Sequence, residues 1–337
     1  IDYCIGLDPG ANLISFYALP ENTHMSNMMS SLGSNVSGVI TQGGVCLQIS
    51  DGNWVGSECD IKPFRGYWII VDNFCELCIE DAIPTDPEIQ YDLIPVANLI
   101  SFPSNGTIRI DDALPDDVEE YVTGAITQGG ACSQISDGFW VGSECYLEGG
   151  KGYWFMVTDY ISFSFDLSEL SRSIMAYKEE KLSGYEYNQS SKQAFYFVES
   201  IEGIKDGDYI LAYNGDKLIG SREWQGSVID VPAMGYDGNS YSIDYLKVGD
   251  IPEFKVLRNG KLTTLEGDVP TWLDNGLFMV SSLSQVIIPE SYSLSEAYPN
   301  PFNPVTTLSF AIPVDNEVTL SIYNLQGREV ASLINGN

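Results

Sequence analysis

The sequence predicts a mainly β protein built from tandem small domains: two β-rich units with one short helix each, then a β-sandwich module, then a partial β-sandwich at the C-terminal end. Three observations carry that expectation. Blocks of sequence recur at a constant displacement of 86 residues. Short apolar runs are separated by Asp-Gly and Asn-Gly pairs, the dipeptides that turn tight hairpins. Near the C-terminal end apolar residues alternate, with Leu308, Phe310 and Ile312 in one run and Val318, Leu320 and Ile322 in the next. A chain of 337 residues with 44% hydrophobic content has enough apolar surface for several cores.

The repeat comes first along the chain. ANLISF at residues 11–16 returns at 97–102, ITQGG at 40–44 returns at 126–130, and WVGSEC at 54–59 returns at 140–145. GYW at 66–68 returns at 152–154, and nearly half of the positions from 11 to 71 are identical in the second stretch. Identity at a constant displacement reads as two copies of one domain, at residues 1–80 and 87–166. After the ANLISF strand, Met25, Met28, Met29 and Leu32 of copy one have the i, i+3, i+4, i+7 spacing of an amphipathic helix. In copy two the matching helix would use Ala113, Leu114, Val118 and Val122, with an acidic outer face. A hairpin turning at Asp51-Gly52, or Asp137-Gly138, follows, and an apolar strand at 67–71, or 153–157, ends each unit.

Cysteine placement fits an oxidising compartment. Cys46 and Cys59 flank the first hairpin, and Cys132 and Cys145 flank the second at the same separation, so each pair is expected to form a disulfide. Each would close a loop worth about 3 kcal/mol of chain entropy. Cys4, Cys75 and Cys78 belong to copy one alone; copy two carries Gln90, Ile161 and Ser164 there. Cys4 is expected to pair with Cys78 or Cys75, leaving one thiol over. A redox role for the C-x-x-C has no thioredoxin-like βαβ pattern around it.

Composition then shifts. Residues 167–184 read as a linker, with KEEK at 178–181 as a polar stretch or short surface helix. A β-sandwich module is expected at residues 185–285, with strands at 194–199, 208–213, 217–221, 241–245 and 253–257. Its segments QAFYF, DYILAYNG, VPAMGYDG and GDIPEF resemble a module of secreted proteins from marine bacteria, a resemblance that implies no activity. Asp206, Asp208 and Asp237 lie at turns and are the candidate Ca²⁺ ligands, although turn Asp is also common for its own hydrogen bonding.

A linker at 286–294 leads to residues 295–337. Here Pro299, Pro301 and Pro304 fix an extended, non-helical run. The run YPNPFNP at 298–304, followed by GREV at 327–330, resembles the C-terminal sorting domain of the bacterial type IX secretion system. The resemblance covers about forty residues. It implies an address outside the cell or on its surface, and the type IX secretion machinery as partner. The residues that carry it are Pro299, Asn300, Pro301, Phe302, Asn303, Pro304, Gly327, Arg328 and Glu329. In that family the domain continues for several more strands, so the tail is expected to be truncated. The first residues lack the features of a signal peptide, so further sequence is expected upstream.

Charge narrows the function classes. With 47 acids against 16 bases, a net charge of −31, the chain repels nucleic-acid phosphates and anionic lipid. No run of eighteen apolar residues is present to span a membrane. His24 is the single histidine, and Ile110 takes its place in copy two, so no His-based catalytic arrangement is expected. Paired carboxylates for glycoside hydrolysis stay open. The reading is a non-catalytic, adhesive, matrix-binding or structural region of an exported protein. The alternative is an accessory region of a larger secreted hydrolase with its catalytic domain upstream. An extracellular polysaccharide or surface polymer is the expected ligand, with Trp54 and Trp140 as its stacking residues, and no cofactor beyond Ca²⁺ is expected.

Overall fold

A computed structural model describes residues 1–171, 182–286, 291–314 and 316–336. The KEEK segment and residues 287–290 of the second linker lie outside the described residues. Among the described residues the structure is mainly β, 48% strand and 7% helix, with several small sheets and no closed barrel. It folds as two compact units, Ile1–Gln285 and Val286–Asn337.

The two repeated stretches form five-stranded antiparallel sheets of the same order. In the first the order is Gly10–Ser15, Gly66–Val71, Val36–Thr41, Gly44–Ser50 and Asn53–Gly56. In the second it is Val96–Ile100, Tyr153–Val157, Val122–Thr127, Gly130–Ser136 and Phe139–Gly142. Alternate residues point inward, so Val39, Cys46, Trp54, Tyr67 and Ile69 share the first core with Met25, Met28, Met29 and Leu32. The expected helix is split into shorter turns. In copy one Met25–Met28 is α-helical and Ser30–Asn35 is 3-10. In copy two Pro115 separates Ile110–Ala113 from Asp116–Glu119, because proline has no amide to continue the ladder. Val122 opens a strand instead of closing the helix.

The copies pack on one another by exchanging equivalent contacts. Gln42 accepts from Leu99 N at 2.9 Å, and Gln128, its counterpart, accepts from Leu13 N at 2.9 Å. Ser15 N donates to Gly150 O, and Ser101 N to Phe64 O, again one contact and its counterpart. Leu13, Trp68 and Leu99 are buried together, with Trp154 beside them. A Cβ on Gly66 would lie 2.8 Å from Leu99 Cδ1, and one on Gly152 would lie 2.7 Å from Ile14 O. Part of the shared sequence thus serves a two-fold contact between copies, in which each surface meets its own equivalent.

The third region builds two sheets over one core. Ile229–Met234, Gln193–Val198 and Leu277–Val280 form one sheet; Lys217–Glu223, Tyr209–Asn214, Glu253–Arg258, Lys261–Glu266 and Ser284–Gln285 form the other. Ala194, Tyr196 and Val198 face this core, whereas Phe195 and Phe197 face copy two, against Ile126 and Ala131. Burial on both faces accounts for the unbroken apolar run AFYFV. The expected strand at 241–245 does not form. Asp237 accepts from Asn239 N, Tyr241 OH and Ser242 Oγ at 3.1, 2.7 and 2.6 Å, which holds a 3-10 turn at Ser240–Ser242.

One substitution between the copies marks the face on which the third region docks. In copy two Ser133 lies opposite Gly124, and a Cβ on Gly124 would run into Leu277 Cδ1 of the third region. In copy one the counterpart of Ser133 is Leu47, whose own Cδ2 covers Gly38, 2.8 Å from the position of its Cβ. Copy one thus fills with its own side chain the space where copy two receives Leu277. Ser133→Leu should therefore expel Leu277 and weaken docking by about 1–3 kcal/mol. The check is faster amide exchange in Gln193–Val198; unchanged protection there would contradict the account.

The second unit is small. Ser293–Leu294 pairs with Phe310–Ala311, and Val318–Tyr323 pairs with Glu329–Gly336. Among its described residues none is buried, as expected when two-stranded ladders have no facing sheet.

Candidate binding cleft and export signal

Where the two repeat copies and the third region meet, they enclose a cleft of about 560 Å³. Copy one contributes Tyr3 and Tyr17, whose ring centroids lie 4.3 Å apart. Tyr3 belongs to Tyr3–Leu7, which pairs with Cys75–Ile79 and places Cys4 directly opposite Cys78. The Cys4–Cys78 disulfide, with Cα atoms 4.0 Å apart, therefore ties down the strand that forms this wall. Copy two contributes Glu144, Glu148 and Lys151, and the third region Tyr185, Tyr187 and Tyr209.

The polar centre is an ammonium between two carboxylates. Lys151 Nζ lies 3.1 Å from Glu144 and 3.1 Å from Glu148. Burial opposes the charge on Lys151, but the attraction of both carboxylates outweighs it and raises its pKa. Burial raises the pKa of Glu144, and the nearby Lys151 recovers that cost only in part. Copy one has the related pair Arg65–Glu58 at 3.4 Å, but Lys62 stands where copy two has Glu148. Beside the cleft, Arg222 is paired with the buried Asp230 at 3.1 Å.

The remaining sequence-derived residues are placed as follows. Cys46–Cys59 and Cys132–Cys145 are disulfides with Cα separations of 5.2 and 5.0 Å. Cys75 is a free, half-buried thiol, and burial raises its pKa. Trp54 and Trp140 are not stacking residues: they are 8% and 6% exposed, inside the two repeat cores. Each faces the same side of its sheet as a disulfide cysteine, and Trp140 Nε1 donates to Glu119 at 2.6 Å. His24 caps the helix Met25–Met28, its Nδ1 accepting from Ser26 N.

Asp206, Asp208 and Asp237 do not form a Ca²⁺ site. Asp208 is held by Arg258, whose Nε donates at 2.9 Å, and by Lys205 N; the Arg258 bond lowers its pKa. Asp237 is engaged by the hydroxyls of its own turn, and Asp206 is exposed on a separate one. Among the described residues no three His, Cys, Asp or Glu side chains converge as metal ligands.

The tail displays its motif. Pro299, Asn300, Pro301, Phe302, Asn303 and Pro304 are all exposed, as are Gly327, Arg328 and Glu329. The second set sits on a hairpin turn in which Asn324 Oδ1 accepts from Gln326 N at 2.9 Å and Arg328 N at 3.0 Å. Gly327 has φ +73°, the left-handed conformation that glycine takes without strain.

A family model for the secretion system C-terminal sorting domain matches residues 296–337. No curated protein and no solved structure matches the chain. The sorting domain makes this an exported protein, secreted or attached to the outer surface, that engages the type IX secretion machinery. Among the described residues no helix is long and apolar enough to cross a membrane.

The cleft tyrosines are not legible as a group in the sequence because they lie on two regions far apart in the chain. One signal was available. Tyr3 and Tyr17, like Cys4, belong to copy one alone, where copy two has Ile89 and Pro103.

Proposed function

We propose that residues 1–285 are a non-catalytic binding region displayed outside the cell, and that their cleft holds a stretch of extracellular polysaccharide. The carrying observation is the cleft: ligand sites favour domain junctions and volumes of a few hundred Å³, and this one combines both with several tyrosine rings. Tyrosine offers a sugar ring an apolar face and a hydroxyl at its edge. The engagement of both Glu144 and Glu148 by Lys151 supports binding over hydrolysis, since both carboxylates are already committed to one cation. The same cleft would serve an adhesin or the accessory region of a larger hydrolase.

Calorimetry of the full chain against a panel of soluble polysaccharides tests the proposal. Binding is expected without release of reducing ends, and Tyr185→Ala should weaken it about tenfold. If the whole panel fails to bind, a spacer role is left.

A further inference from the structure

Resting on that reading of the cleft, we infer that its ligand is an uncharged, hydroxyl-rich glycan, that Lys151 donates a hydrogen bond to it, and that carboxylated or sulfated glycans are rejected. The charges that line the cleft carry the inference. Asp8, Glu144, Glu148 and Glu186 face it, against Lys151 and Arg222. Neither cation is available to hold an anion. Asp230 compensates Arg222 at 3.1 Å from a nearly sealed position, 1% exposed, and Arg222 Nη2 also donates to Gly129 O at 2.7 Å. Lys151 is shared between two carboxylates. A uronate or sulfate would therefore enter a site with surplus negative charge and no uncompensated partner, on a chain that carries −31 overall.

Neutral hydroxyls face no such penalty. An ammonium has three N–H donors, and the two carboxylates engage two of them. The third has no protein partner among the described residues. The side chain of Lys151 is 34% exposed, so that donor can reach a ligand, and a charge-assisted bond to a neutral hydroxyl is stronger than a neutral one. The two carboxylates also hold the ammonium in place before the ligand arrives, which limits the entropy lost on binding. Glu144 and Glu148 can accept from sugar hydroxyls through their remaining lone pairs, a capacity of no use to an anionic group.

The test is calorimetry on the full chain with three oligosaccharide sets of equal length: neutral hexoses, uronates and sulfated hexoses. At moderate salt the neutral set is expected to bind at least about tenfold more tightly than either anionic set. Lys151→Met should lower neutral-glycan affinity about tenfold. Because that variant leaves two carboxylates without their cation and can misfold, Glu148→Gln supplies an independent arm. By removing half of the compensation it should shift the uronate-to-neutral affinity ratio toward uronate by about tenfold. Anionic sets that bind as tightly as neutral ones, or a ratio unmoved by Glu148→Gln, overturn the inference and leave the glycan reading standing. Failure of all three sets to bind overturns both.

Discussion

A type IX secretor that expresses this protein without residues 296–337 is expected to retain it inside the cell, and a reporter ending in a sorting domain that includes those residues is expected outside. The matched region lies in a unit of its own, where Ser293–Leu294 pairs with Phe310–Ala311 and Val318–Tyr323 with Glu329–Gly336. Its removal takes nothing from the cores of residues 1–285, so lost export would not be a folding defect. A finer variant makes the same point. Asn300, Phe302 and Asn303 are exposed, so alanine at all three should leave stability within about 0.5 kcal/mol. If the machinery reads this surface, export of the triple variant falls with that of the deletion. Export of either variant at the wild-type level, measured by fractionation, would remove the link between this tail and the address.

Much of the fold could be read in the sequence because its cues are local. The pairs Asp51-Gly52 and Asp137-Gly138 mark turns whose glycines take φ of 72° and 66°. At Asn259-Gly260 both residues are left-handed, at 50° and 77°, as a tight hairpin of the primed type demands. The cysteine pairs at equal separation also needed only the hairpin between them. The strand Ile229–Met234 is not among those the sequence predicts. Pro232 lies in the middle of Ile229–Met234, and proline argues against a strand. The strand forms because it is the edge of its sheet, where only Gln193–Val198 pairs with it and the missing amide is tolerated.

The functional surface was harder to read, for a different reason. A tryptophan two residues after a hairpin turn has its face set by the pleat, and at Trp54 and Trp140 the pleat turns it inward. Aspartates at turns look alike in sequence. In the structure Asp208 binds Arg258, Asp237 ties a local turn, and Asp230 reaches into a neighbouring domain. Only the partners of Asp237 are close in sequence; those of Asp208 and Asp230 lie 50 and 99 residues away, and the cleft depends on contacts between regions more than a hundred residues apart.

Of the stability changes foreseen here, Asp230→Ala should be the largest. Asp230 is 1% exposed and serves as the polar anchor of the third region on copy two. Its Oδ1 accepts from Ser143 N at 2.7 Å, and its Oδ2 from Ala131 N at 2.9 Å, Ser143 Oγ at 2.7 Å and Arg222 Nη2 at 3.1 Å. Ala131 N and Arg222 are buried, so water replaces the carboxylate poorly at both. Removing one member of a buried ion pair costs about 3–5 kcal/mol, chiefly because the surviving charge stays desolvated. Asp230→Asn keeps an acceptor for Ser143 N but turns an NH₂ toward other donors, so it should cost less than alanine without restoring the wild type. The loss should appear as decoupling as well as a lower midpoint. Trp224 and Trp272 are buried in the third core and Trp140 in that of copy two, which lets fluorescence of single-tryptophan variants follow each part separately in urea. In the parent background the transitions are expected to coincide; with Asp230→Ala the third region should unfold first. A shift below about 1 kcal/mol, with transitions still coincident, would show that apolar packing of Phe195 and Phe197 alone holds the domains together.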